Sequence, residues 1–156
     1  DENTIGPEYD HLAILVNLEK TWLTDIGFGN LSIEPIELDI HKSSSDRDKI
    51  FRFQKLSESN YLLSESTDGL TFEKKYQLDI SERQIAEFKA ECHFKQYNPD
   101  SHFVKKKSCT IATKHGRATI LNDEFTLTVN GQKTTKVIKN KSEYKFLLKE
   151  VFNIIL

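Results

Sequence analysis

The stretch His11–Gly29, HLAILVNLEKTWLTDIGFG, decides how this chain is read. Leu12–Val16 and Thr21–Ile26 are short runs of β-branched, aromatic and aliphatic residues, parted by the polar segment Asn17-Leu18-Glu19-Lys20, the pattern of two strands joined in a hairpin. A hairpin centred on Leu18 sets His11 opposite Asp25, with Cβ atoms roughly 4.5–5.5 Å apart. Ala13, Leu15 and Leu23 fall on the same face, so the pair is expected over an apolar floor. A slip of one residue would send one partner to the other face. In such a pair the carboxylate accepts the Nδ1–H of the imidazole and leaves Nε2 to take a proton from a nucleophile. Taken on spacing alone, the pair is more simply a strand histidine bonded to a turn aspartate with no chemistry.

The chain has 156 residues, 37% hydrophobic and 29% charged. With a mean hydropathy of −0.53, that fits a globular chain able to bury a core, neither disordered nor membrane-spanning. A net charge of −2 gives no general attraction to nucleic acid or membrane. The run Lys105-Lys106-Lys107 reads as a solvated loop or edge strand. Two cysteines, Cys92 and Cys109, make no disulfide framework. No secretory signal or transmembrane stretch is seen, so cytoplasmic residence is expected. Methionine is absent throughout, position 1 included, and the sequence is expected to be a processed or cleaved chain or a fragment.

An α+β fold is expected, mainly an antiparallel β-barrel (or sandwich) followed by a connecting helix and a small sheet-plus-helix domain. Strands are predicted at Ile36–Ile40, Ile50–Leu56, Tyr61–Glu65 and Thr71–Leu78, with a polar break at Lys42–Asp48 and a turn at Thr67-Asp68-Gly69. Ser81 and Gln84 form an apparent capping box for a helix over 81–98, its buried stripe carrying Ile85, Phe88 and Cys92. Cys109–Lys114 and Arg117–Leu121 flank His115-Gly116, while Phe125–Val129 and Lys133–Ile138 flank the hairpin dipeptide Asn130-Gly131. Ser142 is the expected cap of a last helix turning Phe146, Leu147, Val151 and Phe152 inward. The expected divisions are 1–80, 81–100 and 101–156.

Other constellations are weak. Gly27-Phe28-Gly29 lacks the third glycine of a dinucleotide fingerprint. Cys92, His93, His102 and Cys109 match no zinc spacing, so no metal is expected. His41 and His115 fall in polar loops. Neither a Walker loop nor a G-x-S-x-G elbow occurs.

His11-Leu-Ala-Ile-Leu-Val, followed by Trp22-Leu-Thr-Asp25-Ile-Gly-Phe-Gly29, closely resembles the arylamine N-acetyltransferase family, with its H-x-x-L strand and D-[VA]-G-F-G segment. Phe88–His93 with Asn98-Pro99-Asp100-Ser101-His102-Phe103 is similar to that family's interdomain helix and S-P-x-S-x-F turn, and Cys109 to Arg117 keeps a C-x6-G-R spacing. The resemblance implies the barrel and the α/β lid of a three-part fold. It further implies acetyl transfer from acetyl-coenzyme A to an arylamine, arylhydroxylamine or hydrazine by a ping-pong route through an acetyl-cysteine. His11 and Asp25 would be the catalytic base and its orienter, Phe28 and Phe103 would line the acceptor pocket, and Phe94 would lie towards the coenzyme A side.

The family's nucleophile belongs to an R-G-G-x-C segment upstream of the histidine, whereas the ten residues before His11 hold no cysteine. The chain alone is therefore expected to be inactive. Its expected partners are the arylamine, acetyl-coenzyme A, and either the missing helical domain or a second copy through an exposed face; nucleic acid and membrane are not expected. The competing reading is a non-enzymatic ligand-binding or interaction module that keeps the fold. A third is a thiol enzyme using Cys92 or Cys109.

Overall fold

The computed structural model describes residues 6–156. The chain forms two compact units, Asp1–Glu91 and Cys92–Leu156.

In the first unit, β1 (Ile14–Asn17), β2 (Thr21–Thr24) and β3 (Ile36–Glu37) make one antiparallel sheet. A second consists of β4 (Ser44–Asp46), β5 (Lys49–Lys55), β6 (Asn60–Ser66) and β7 (Glu73–Asp79), in that spatial order. Alternation along β5 sends Phe51 and Phe53 inward. They join Leu23, Leu31, Ile36 and Leu63 in one core, with Ala13 and Leu15 packed against it as the hairpin pattern requires. These seven strands form two open sheets that share a core, not the expected closed barrel. The reason is local: β3 pairs over only two residues before the chain leaves for Leu38–Lys42, so no ladder joins β3 to β4.

The polar break at Lys42–Asp48 is corrected too. Its serines pair with β5, Ser44 with Phe51 and Ser45 with Ile50, because an edge strand has little need of apolar side chains. The Thr67-Asp68-Gly69 turn forms as expected. Asp68 Oδ1 accepts the Leu70 and Thr71 N–H groups at 2.8 Å each, and Gly69 takes the left-handed φ of 74°.

The helix starts later than Ser81. Asp79 Oδ1 captures the Ser81 N–H at 2.9 Å, and the cap moves three residues on, with Glu87 Oε2 accepting the Gln84 N–H at 2.5 Å. A 3-10 turn, Ile85–Phe88, leads into α1 (Lys89–Tyr97). Cys92 is exposed, not part of a buried stripe.

The second unit carries a short α2 (His102–Lys105) and a four-stranded antiparallel sheet. Its strands β8 (Ser108–Thr113), β9 (Gly116–Leu121), β10 (Glu124–Val129) and β11 (Gln132–Val137) are adjacent in sequence order, and α3 (Lys141–Phe152) follows them. Asn130 and Gly131 adopt φ of 48° and 78°, the tight hairpin that Asn-Gly encodes. Ala118 and Ile120 pack with Ile138, Leu147, Leu148 and Phe152. Asn140, not Ser142, caps α3, its Oδ1 accepting the Glu143 N–H at 2.9 Å. Phe146 lies 62% exposed, since Leu147, Leu148, Val151 and Phe152 cluster on the opposite side of the helix. Among the described residues no helix is long and apolar enough to cross a membrane.

Candidate active site

The β1–β2 ladder pairs Ile14 with Thr24, Leu15 with Leu23 and Asn17 with Thr21. It thus centres on Glu19, one residue beyond the expected Leu18. Continued outward, this register sets His11 across from Gly27, and Asp25 becomes its diagonal neighbour on the same face. A Cβ built on Gly27 would lie 3.1 Å from His11 Cε1, so the imidazole lies against a residue that offers it no side chain. Diagonal neighbours are roughly 7–8 Å apart, a gap the far end of the ring spans. His11 Nε2 therefore meets both carboxylate oxygens, Oδ1 at 2.9 Å and Oδ2 at 2.8 Å. This corrects the expected orientation: Nε2 is engaged with Asp25, and Nδ1 is the nitrogen left for another partner.

Asp25 is held from every side. Its Oδ1 also accepts the Gly27 and Phe28 N–H groups at 3.1 and 3.0 Å, and its Oδ2 accepts the Tyr76 hydroxyl at 2.7 Å. The side chain is 1% exposed, against 26% for His11. Burial pushes the carboxyl upward, but the hydrogen bonds of His11 and Tyr76 outweigh it and hold the group below its ordinary value. Burial, with the bond to Asp25 second, drives the Tyr76 hydroxyl upward, so it stays a donor.

The rings of His11, Phe28 and Tyr76 enclose the pair. His11 meets Phe28 edge-on at 5.5 Å between centroids and Tyr76 at 5.6 Å, and Phe28 and Tyr76 lie 5.0 Å apart. Tyr76 was not singled out in the sequence. Its aim follows from a bulge, because Leu63 pairs with Tyr76 but Ser64 pairs with Lys74. Lys75 is the extra residue, and the strand is re-aimed there. The one signal for Tyr76 was its place in a half-buried strand, where a phenol needs a polar partner.

His11, Asp25 and Phe28 are thus brought together. Phe94 on α1 and Phe103 on α2 belong to the second unit, 43% and 58% exposed. Phe103 stacks beside His102, ring centroids 4.1 Å apart. Cys92 lies on α1 and Cys109 on β8, and burial raises the Cys109 thiol, the reverse of an activated nucleophile. No group of three or more potential metal ligands occurs among the described residues.

The N-acetyltransferase family model matches residues 1–156. The chain belongs to the arylamine N-acetyltransferase family. The chicken (Gallus gallus) arylamine N-acetyltransferase, pineal gland isozyme NAT-10, is 27% identical over 178 residues, covering 99% of this chain and 61% of that relative. The arylamine N-acetyltransferase from Salmonella typhimurium shares the fold with a TM-score of 0.85 at 20% identity, over 95% of this chain and 55% of that one. The Mycobacterium marinum enzyme, solved in complex with CoA, superposes with a TM-score of 0.81 at 16% identity, over 93% of this chain and 54% of that one. This member of the family therefore spans about three fifths of the length of its curated relatives.

Proposed function

We propose that this chain supplies the base and orienter of a cysteine-dependent acetyl transfer from acetyl-coenzyme A to an arylamine, arylhydroxylamine or hydrazine. The supporting observation is the His11–Asp25 pair: a buried carboxylate with four donors fixes Nε2–H and leaves Nδ1 as the basic nitrogen. His11 Nδ1 takes the proton of a cysteine thiol, and the thiolate adds to the thioester carbonyl carbon. The carbon–sulfur bond to coenzyme A breaks, and the departing thiolate regains a proton from His11. The amine nitrogen then attacks the acetyl-cysteine, passes its proton to His11, and expels the cysteine thiolate. Asp25 holds the imidazolium in place through both proton transfers.

Phe28, beside the His11 ring, would stack on the arylamine, since an aromatic face suits that acceptor; Phe103 would also serve the acceptor, as the family resemblance implies. Phe94 would lie towards the coenzyme A side. In this reading the two units are the family's barrel-like and lid portions.

The cysteine is not supplied by the ten residues preceding His11, so the 156-residue polypeptide alone should not turn over. The test compares it with the same polypeptide joined to the cysteine-bearing N-terminal segment of a full-length family member, given acetyl-coenzyme A and aniline. The joined form should acetylate, and His11→Ala or Asp25→Asn should abolish this. Turnover by the polypeptide alone, or a joined form indifferent to His11→Ala, would refute the proposal.

One observation favours the alternative of a binding module. Leu12, Ile14 and Leu18 on or beside β1 are 46%, 58% and 75% exposed, an apolar face suited to a partner. Dimerisation of the unmodified chain, together with an inactive joined form, would support it.

A further inference from the structure

Two charged residues, Lys49 and Glu65, stand on the core side of the first unit's second sheet, and a third, Lys75, sits at its bulge. Glu65 pairs directly with Phe51 across β5 and β6, and cross-strand partners share a face, so it lies on the core side. Lys49, two residues before Phe51, shares that side. The side chains of Lys49, Glu65 and Lys75 are 15%, 12% and 22% exposed. Lys49 Nζ meets Glu65 Oε2 at 2.9 Å, and Lys75 Nζ meets Glu65 Oε1 at 3.2 Å. Charges this far out of water carry a desolvation cost that a surface pair does not, so stability alone does not account for them.

What they touch gives another reason. Lys49 Nζ also donates to the carbonyl oxygens of Asn30 and Leu31. Those residues close the turn that carries Phe28, where the Leu31 N–H donates to the Phe28 carbonyl at 3.0 Å. Lys75 is the bulged residue directly before Tyr76. A single carboxylate thus grips two cations, one fastened to the Phe28 turn and one seated on the bulge that aims Tyr76 at Asp25.

We propose that Glu65 is a positioning residue that, through Lys49 and Lys75, sets the Phe28 ring and the Tyr76 hydroxyl around the His11–Asp25 pair. Its consequence for arylamine binding rests on the function proposed above; the positioning does not. The test is therefore amide hydrogen exchange and imidazole 15N spectra of the 156-residue chain, neither of which needs turnover.

In Glu65→Gln the Leu31 and Phe28 amides should exchange about tenfold faster or more while Leu63 stays protected, and the His11 Nε2–H tautomer should lose population. Phe53→Leu, which loosens the same core without touching the clamp, should accelerate Leu63 along with the turn and leave the tautomer unchanged. If Glu65→Gln does not fold, Lys49→Met decides the question: it should free the Phe28 and Leu31 amides and spare Leu63. Turn amides as protected as in the parent, or accelerated no more than in Phe53→Leu, would overturn the proposal. Loss of the acetyl-transfer reading would leave these results untouched.

Discussion

Replacing Tyr76 with Phe removes one hydroxyl and tests the whole environment of Asp25. The bond lost is 2.7 Å long, and its acceptor is a carboxylate 1% exposed, so water does not readily replace the donor. A hydrogen bond to a charged group contributes about 1.5–3 kcal/mol. With a urea m-value of ~1.5 kcal/mol/M, the midpoint should fall by about 1–2 M at pH 7. Trp22, the single tryptophan, lies on β2 and reports unfolding of this unit by fluorescence.

The loss should depend on pH in a defined sense. Asp25 sits below its ordinary value of 3.8, so its stabilisation is present above that pH and is lost as pH falls through the folded value. Without Tyr76, burial is opposed by one bond fewer, the folded value rises, and acid unfolding should begin at higher pH than in the parent. Tyr76 itself is raised above 10.0. The parent is therefore fully stabilised below pH 10 and loses stability above it, a decline that Tyr76→Phe should lack. A midpoint shift under about 0.3 M at pH 7, or identical pH profiles for parent and variant, would refute the reasoning.

Three other outcomes are expected. Gly116→Ala drives a Cβ into the Thr128 carbonyl oxygen, so it should split β9 from β10 and cost about 3 kcal/mol or more, read as loss of amide protection at Ala118 and Ile120. Asn140→Ala should lower stability by about 1 kcal/mol by uncapping α3, whereas Ser142→Ala should change it by less than about 0.5 kcal/mol; thermal melts of the two variants distinguish them. Iodoacetamide should label exposed Cys92 well before Cys109, whose thiol burial raises. His11→Ala should leave both rates unchanged, and a rate that falls in that variant would revive the thiol-enzyme reading.

Much of the site was legible because short-range pattern governs it. Parity along β1 and β2 put His11, Asp25, Ala13, Leu15 and Leu23 on one face, and a two-residue slip preserves parity even when the opposite neighbour changes. The nitrogen that Asp25 engages was not legible, because it depends on whether the partner is opposite or diagonal. Tyr76 was hidden for a related reason: the bulge at Lys75 breaks the alternation from which its direction would be read. The helix starts moved because side chains nearby engaged other N–H groups first, Asp79 that of Ser81 and Asn140 that of Glu143. Closure of the first sheets into a barrel turns on how far β3 extends, and Ile36–Ile40 reads as a longer strand than the two residues that pair.

The hairpin loop Leu18-Glu19-Lys20 lies at the opposite end of β1 and β2 from His11 and Asp25, yet its length works as the setting screw of their meeting. One residue more or fewer would rotate Asp25 to the outer face. Two would extend each strand by one residue and leave the pairing around His11 and Asp25 as it is. Leu18, 75% exposed, is free to vary in kind, but the loop it belongs to is not free to vary by a single residue. A tag or graft of odd length that keeps the turn geometry at this accessible tip would disconnect the His11–Asp25 pair without touching either residue, whereas one of even length would spare it.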